Sequence, residues 1–396
     1  MKIRTLKNIP KIKGKKVLLR VDFNVPLKKN GEVQDDTRMV ESLPTIKYLQ
    51  KKGAKIIIVS HLGRPDGKVK NELRLTKIAK HLQKLLKKPV KKVDEVIGPK
   101  VEKAIAGLKD GQILMLENVR FHKEEEKCEK KFTKALASLA DIFVNDAFGT
   151  AHRRHASTAG VADYLKAYAG LLMEKEIKHL SPIIESKPKK PLTIIFGGAK
   201  IDTKIGIIKN FIKKADYFLM GGALANTFLY AAGYNVAKSL YEEDKQNIAR
   251  EIMLECEKDK EKFVLPHDVV VACDISDKAK VAHVPVQDVM GDMKILVIGN
   301  WTAEKYCNII AKSKTIIWNG PLGLCEFKPF QQGTETVAKF LAKTKCISIL
   351  GGGDTADSLK RLKIPTTKFT HVSTGGGACL EFLSGEKLPG IEVLKK

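Results

Sequence analysis

Three features of the sequence predict an α/β chain built from two doubly wound parallel-sheet domains. Short apolar runs recur along its whole length, each ending in a polar or glycine-rich turn. Amphipathic helical stretches separate the runs, and continuous apolar strands alternating with such helices mean parallel sheets covered on both faces. The length, 396 residues, exceeds a single core of about 150 residues and suits two.

In order, the runs of the first half are VLLRVDF (17–23), KIIIVSHL (55–62), QILMLENV (112–119) and DIFVNDAF (141–148). Those of the second half are LTIIFGGA (192–199), DYFLMGGA (216–223), DVVVA (268–272), TIIWNG (315–320) and CISILGGG (346–353). Between the halves, 170–191 reads as an apolar-periodic helix ending near Pro188, followed by a lysine and proline stretch, so a connecting helix over 171–188 separates domains over 1–170 and 189–379. No low-complexity tract or short-period repeat interrupts this plan.

Hydrophobic residues make up 43% and charged residues 29% of the chain, a globular mix, and no segment approaches the roughly 18 uninterrupted apolar residues of a membrane span. Disorder and membrane insertion are excluded. The first apolar run meets Arg20 and Asp22 long before the about 7 to 15 apolar residues of a secretion signal, so a cytosolic chain is expected. The seven cysteines form no C-x-x-C pair and read as core-filling thiols rather than a disulfide framework or zinc cage.

Charge is unevenly placed. The net charge is +26; residues 1–200 hold 44 Lys and Arg against 22 Asp and Glu, and residues 201–396 hold 27 against 23. Such a first half steers anions toward itself, whether a small phosphorylated acid, nucleic acid or an acidic membrane surface, and composition alone does not choose. The lysines of 82–96 fall at helical spacing opposite leucines and read as a solvated face.

Ligands of an open α/β sheet bind beyond the carboxyl ends of its strands. At those ends the first half carries Arg20, Asp22, Asn24, His61, Arg64, Glu117, Asn118, Arg120, Asn145 and Asp146, the last two leading into His152, Arg153 and Arg154. Several arginines there suit bidentate capture of carboxylate and phosphate, although any one alone is more often a structural ion pair. The second half carries glycines instead, in GGAK (197–200), GG (221–222), IG (298–299), NGP (319–321), GGGDT (351–355) and TGGG (374–377). A glycine turn opening a helix presents free N–H groups to phosphates, and Asp354 after three glycines suits a magnesium ion. Neither a P-loop string nor G-x-G-x-x-G after a strand is present.

An anion-binding domain facing a nucleotide domain is the layout of a hinge-bending kinase. RVDFNVP, DDTRM, SHLGRP, ENVRF, NDAFGTAHRRHAS, GGAKIDTK, WNGPLGLCEF, GGGDT and STGGGACLE, in this order and at these spacings, resemble phosphoglycerate kinase from about residue 17 to 385. The resemblance implies two Rossmann-like domains joined by a connecting helix and hinge, with a tail, 380–396, returning to the first. It implies reversible phosphoryl transfer from 1,3-bisphosphoglycerate to ADP, giving 3-phosphoglycerate and ATP, by a monomer using Mg2+ with the nucleotide and having no membrane or nucleic-acid partner.

The same resemblance assigns residues. Asp22 and Asn24 take the hydroxyl and carboxylate end of phosphoglycerate, His61, Arg64, Arg120 and Arg153 its phosphate end, and Arg38 is the catalytic arginine. Lys200 and Lys204 meet the nucleotide phosphates and the group in flight, with Gly352 and Gly353 in the same turn, Asp354 on magnesium and Thr355 on a phosphate. Gly221, Gly222, Gly299, Asn319 and Glu326 line the nucleoside pocket, and Gly375, Gly376 and Gly377 offer N–H groups to the transferring phosphoryl. In the direction of ATP use the nucleophile is a carboxylate, ionised at neutral pH, so His61, His152 and His155 read as binding or structural residues rather than proton shuttles. The chain departs from the family at 297–301, Val-Ile-Gly-Asn-Trp where Asp-Ile-Gly-Pro is usual, and Arg154 has no assigned role. Two alternatives remain at this level: a nucleic-acid-binding protein, which the charge fits but the 6% aromatic content and the motifs do not, and another two-domain kinase of an acid, which would need a different arginine set.

Overall fold

The computed structural model describes residues 1–185, 188–256 and 262–396. The chain divides into two compact units, Met1–Lys178 with Lys387–Lys396, and His179–Glu386.

The first unit is built on β1 (Lys16–Arg20), β2 (Lys55–Val59), β3 (Lys91–Lys92), β4 (Ile113–Met115), β5 (Ile142–Asn145) and β6 (Ala167–Ala169). They form one parallel sheet in the order β3-β4-β2-β1-β5-β6. The central strand β1 reads apolar without alternation because both its faces are covered. On one face Val17 and Leu19 pack with Ile56 and Ile58 against Met39, Ile46 and Leu49 of the helix Thr37–Lys51 and Ile78 and Leu82 of the helix Thr76–Leu86; each such buried side chain contributes roughly 1.5 to 3 kcal/mol. The tail belongs to this unit: the Arg4 N–H donates to Leu394 O at 2.8 Å, and the Arg4 guanidinium donates to Val393 O at 2.7 Å.

The lysines of 82–96 do not share one helical face. The helix ends at Leu86, Lys87 turns left-handed at φ 53°, and Lys91–Lys92 form the edge strand β3. Pro89 cannot donate to a continuing helix and forces the break.

The second unit is built on β7 (Leu192–Phe196), β8 (Tyr217–Met220), β9 (Phe263–Val264), β10 (Asp268–Ala272), β11 (Ala282–Pro285), β12 (Lys294–Ile298), β13 (Thr315–Asn319), β14 (Ile347–Gly351) and β15 (His371–Val372). Six of them make a parallel sheet, β15-β14-β13-β7-β8-β9, and three make a separate sheet, β11-β10-β12. DVVVA (268–272), grouped with the parallel strands on sequence, is the centre of that smaller sheet, and both its pairings are antiparallel. An unbroken apolar run reports burial of both faces and nothing about direction. The connection from β10 to β11 is too short for the dozen or more residues of a parallel crossover.

The helix Leu171–Glu185 contains the boundary between the units, which falls after Lys178. It was predicted to reach Pro188; residues 186–187 lie outside the described residues, and Pro188 is not helical. Cys256, Cys307, Cys325 and Cys379 are core residues, whereas Cys273 is exposed, so core filling does not account for all seven. Among the described residues no helix is long and apolar enough to cross a membrane.

The boundary helix is capped from the sheet. Asp146, just beyond β5, accepts at Oδ1 from the N–H groups of Leu172 at 2.9 Å and Met173 at 3.2 Å, while Thr45 Oγ1 accepts from Leu171 N–H at 2.8 Å. Burial pushes the Asp146 carboxyl up to about 7, against the hydrogen bonds from Thr45, Met173 and Leu172. The folded state therefore holds a proton that the unfolded chain has already released between about pH 4 and 7, and stability falls as pH rises through that window. A shift of about three pKa units amounts to about 4 kcal/mol. Asp146→Asn, which keeps the accepting oxygen, should gain stability relative to the parent as pH rises from 5 to 7 and hold a constant difference above. Parallel pH profiles of the two melting curves would show instead that the native carboxyl is ionised throughout.

Candidate active site

In the first unit the crossovers leave β1 and β5 in opposite directions, and the cationic residues gather at this switch point. Arg20, the last residue of β1, is 1% exposed. Its Nε donates to Ser157 Oγ at 2.9 Å, and its Nη2 donates to His61 Nδ1 at 3.2 Å. Arg38 Nη1 donates to Asp22 Oδ2 and to the Asn24 carbonyl, both at 3.0 Å. Asp22 Oδ1 lies 3.9 Å from His61 Nδ1. Arg120 Nη1 donates to Gly63 O at 3.0 Å, Asn24 Oδ1 accepts from Gly63 N–H at 2.9 Å, and Arg153 Nε donates to His152 Nε2 at 3.0 Å.

The electrostatics follow from this crowding. His61 is held well below the usual histidine range by burial and then by Arg20, Arg120, Arg38 and Arg153. His155 is pushed down to about 3 by burial and by Arg120, Arg20 and Arg153. Both rings are neutral at pH 7. Arg120 is lowered to about 10 by burial, with Glu126 opposing, and stays charged. The pocket presents fixed guanidinium charge and neutral imidazole, which suits a phosphate or carboxylate and supplies no proton at neutral pH.

In the second unit the switch point lies between β7 and β13. The turn after β7 runs so close to the turn after β13 that a Cβ on Gly197 would stand 2.0 Å from Pro321 O; Gly197 N–H donates to Asn319 O and Gly198 N–H to Pro321 O, both at 2.9 Å. Lys204, in the first turn of the helix Asp202–Phe211, is buried and donates to Asn319 Oδ1. Burial lowers its ammonium to about 8, with Asp354 opposing. Asn319 Nδ2 donates to Gly351 O at 2.8 Å, and Thr355 Oγ1 links the two turns by accepting from Gly320 N–H and donating to Gly351 O, both at 2.8 Å.

The structure thus gathers Asp22, Asn24, Arg38, His61, Arg120 and Arg153 in one pocket. Arg64 is exposed and absent from the charges acting on His61. Lys204, Asn319, Gly352 and Thr355 form one cluster with Asp354 near it, whereas Lys200 and Glu326 are exposed. Gly221 and Gly222 open the helix Gly222–Ala231; Gly299 caps the helix Asn300–Lys312, where a Cβ would stand 2.1 Å from Asp268 Oδ2. Gly375 to Gly377 lead into the helix Gly377–Leu383. At the departing 297–301 segment, Asp268 takes over the capping, accepting from Thr302 N–H at 2.7 Å and Trp301 N–H at 3.1 Å, and leaves Trp301 exposed. Arg154 makes an exposed ion pair with Asp163 at 3.2 Å.

Sequence reasoning left Ser157 and Glu125 out of the site, and named Arg20 at its strand end without assigning it a role. Arg20 was legible, two residues before Asp22 at the end of the same strand. The middle glutamate of a Glu-Glu-Glu run carries no such signal, since it looks like a solvated helix face.

Fold and sites together define a class: an α/β protein of two parallel-sheet units, one with a guanidinium pocket and the other with glycine turns around a buried lysine at the corresponding sheet edge. The phosphoglycerate kinase family profile matches residues 6–386. A phosphoglycerate kinase of Dictyoglomus turgidum is 52% identical over 385 residues, covering 97% of this chain and 96% of the relative. One of Pelotomaculum thermopropionicum is 46% identical over 391 residues, covering 99% and 98%. The solved phosphoglycerate kinases of Coxiella burnetii (TM-score 0.88, 40% identity) and Pyrococcus horikoshii OT3 (TM-score 0.84, 34% identity) each cover 99% of this chain and are themselves covered to 98%. The chain belongs to the phosphoglycerate kinase family.

The glycines of the second site divide by what the protein itself demands. Gly352 has φ 92°, and its Cβ would stand 2.7 Å from Asn319 Nδ2; a Cβ on Gly353 or Gly377 would meet nothing within 4 Å. Gly352→Ala should cost about 1 to 3 kcal/mol of stability, while Gly353→Ala and Gly377→Ala should stay within about 0.5 kcal/mol of the parent. Denaturant unfolding of the three variants checks this, and a large loss at Gly353 or Gly377 would refute the open space assigned there.

Proposed function

We propose that this chain works as its family does, transferring a phosphoryl group reversibly from 1,3-bisphosphoglycerate to ADP to give 3-phosphoglycerate and ATP. The observation that carries the residue assignments is the pairing of two unlike anion sites, one per unit, each at the switch point of its parallel sheet. A coupled assay with 3-phosphoglycerate and ATP tests the activity directly.

In this reading the pocket of the first unit holds phosphoglycerate. Asp22 and Asn24 receive its hydroxyl and carboxylate end, and His61, Arg64, Arg120 and Arg153 its phosphate. Exposed Arg64 swings onto the phosphate, whereas Arg120 is already fixed by the Gly63 carbonyl. The second unit holds the nucleotide, with Gly221, Gly222, Gly299 and Glu326 around the nucleoside and Lys200, Gly353 and Thr355 at its phosphates. Asn319 serves by orienting Lys204, since both ends of its amide are engaged within the protein.

No general base is needed, because the attacking carboxylate is already ionised, and the neutral His61 and His155 agree with that. The protein has to align the groups in line and neutralise charge spreading over the equatorial oxygens. Arg38 approaches from one unit, and Lys204 with the N–H groups of Gly375, Gly376 and Gly377 from the other, so closure about the boundary helix is part of the proposal. The donor set fits magnesium: Asp354 is an exposed carboxylate, and among the described residues no cluster of three ligating side chains exists that would make an all-protein cage. Mg2+ bound there would share ligands with the nucleotide phosphates and offset their charge. We propose that one chain carries the complete machinery and acts as a monomer.

Removing either Arg38 or Lys204 takes away a charge made for the transition state, and each alanine variant should lose about 100 to 1,000-fold in kcat with smaller changes in KM. A kcat within threefold of the parent, in a protein with an unchanged melting curve, would sink that residue's catalytic role. Lys204 also predicts a pH limb. Its ammonium loses its proton as pH rises through about 8, so kcat/KM for the nucleotide should fall above that value. Lys204→Arg, always charged, should be slower overall yet lack this fall; an unaltered limb in that variant would assign the titration to another group.

A further inference from the structure

Behind the first unit's pocket lies a buried carboxyl group with no place in the assignments so far, its pKa pushed up by burial and drawn down by Arg20 and the Ser157 hydrogen bonds. Glu125, on the short helix Lys123–Lys127, is fully buried. Its carboxylate accepts from the Ser157 hydroxyl at 2.6 Å through Oε1 and from the Ser157 N–H at 2.9 Å through Oε2. Its backbone carbonyl accepts from Ala156 N–H at 2.9 Å. The Ser157 hydroxyl in turn accepts from Arg20 Nε at 2.9 Å, and Arg20 donates onward to His61 at 3.2 Å. One hydrogen-bonded chain therefore runs from Glu125 through Ser157 and Arg20 to His61, beside Asp22 and Arg38.

We propose that Glu125 and Ser157 are positioning residues of the phosphoglycerate site: the buried carboxylate and its hydroxyl relay hold Arg20 against His61 and clamp the segment 152–157 that carries Arg153. This rests on the reading of that pocket as the acid-substrate site. The physical need is specific. Arg20 is desolvated and Arg120 repels it; Glu125 and Asp22 are the opposite charges that keep it in place. A buried guanidinium without its counter-ion turns toward solvent or toward Asp22, and either movement spoils the donor array.

A purely electrostatic role for Glu125 predicts the opposite sign. Deleting an anion behind a cationic pocket strengthens its field and should tighten binding of an anionic ligand, and a neutral change at Ser157 should do nothing. The test is calorimetric titration of the full-length parent, Ser157→Ala and Glu125→Gln with 3-phosphoglycerate, and with ADP as the control on the other unit. Positioning predicts a Kd for 3-phosphoglycerate raised tenfold or more in both variants, an ADP Kd within twofold of the parent, and in kinetics a raised KM for the acid with the ATP KM unchanged. Ser157→Ala alone decides the matter if Glu125→Gln does not fold. An unchanged Kd in Ser157→Ala, tighter binding in Glu125→Gln, or equal loss of both ligands would overturn the inference. A folded parent that binds ADP but not 3-phosphoglycerate would overturn the reading of the pocket itself, and the inference with it.

Discussion

Parallel pairing puts every strand's carboxyl end on one edge of its sheet, and two crossovers leaving in opposite directions open a gap in that edge which backbone cannot fill. Here the gap lies beside Arg20 and Asn145, paired at the ends of β1 and β5, and beside Phe196 and Asn319, paired at the ends of β7 and β13. In both units an asparagine ends the strand at the gap and spends its amide on tying loops together. Asn145 Nδ2 donates to the carbonyls of Thr158 and Gly390, at 3.1 and 3.2 Å, and so secures both the loop of His152 to Ser157 and the tail. Asn319 joins Lys204 to the turn of Gly351. A short neutral amide with both a donor and an acceptor suits a place where neighbouring turns leave both kinds of group unpaired.

The two gaps are then filled by opposite means. The first gathers permanent charges and must hold them apart, which takes buried counter-ions, Glu125 and Asp22, and neutral imidazoles as spacers. The second avoids side chains almost entirely, letting backbone reach backbone at Gly197 and leaving open space over Gly353 and Gly377. The ligands proposed for the two sites would account for the difference. A small acid bearing a phosphate offers little surface and is recognised through charge, whereas a nucleotide brings a long phosphate chain that needs close approach of N–H groups.

The fold was largely legible because burial of parallel strands on both faces leaves unbroken apolar runs, and nine of these mark strands of the structure. What such a run does not encode is direction, hence the misplacement of 268–272. Short edge strands were missed for a related reason: Lys91–Lys92, Phe263–Val264 and His371–Val372 pair along one side only and need no apolar run. At the site, residues following a strand end were visible from position alone. Glu125 and Asp268 were not, because their work is done through contacts with residues 32 and 34 positions away, Ser157 and Thr302.

The division between arginine and lysine follows from the same physics. Burial brings the Lys204 ammonium down to about 8, within reach of physiological pH, while Arg120 in a comparably enclosed place falls as far from a higher starting value, to about 10, and remains a cation at any physiological pH. A pocket that must stay positive when desolvated is therefore built from guanidinium, and the cations acting on His61 are all arginines. Most of the lysines that make up the first half's excess of positive charge stand on the surface. There they contribute a screened, long-range field that draws anions toward the unit without choosing among them. In the proposed reading selectivity is left to a few enclosed or half-buried arginines, whose positions are fixed by Asp22, Ser157 and the Gly63 carbonyl.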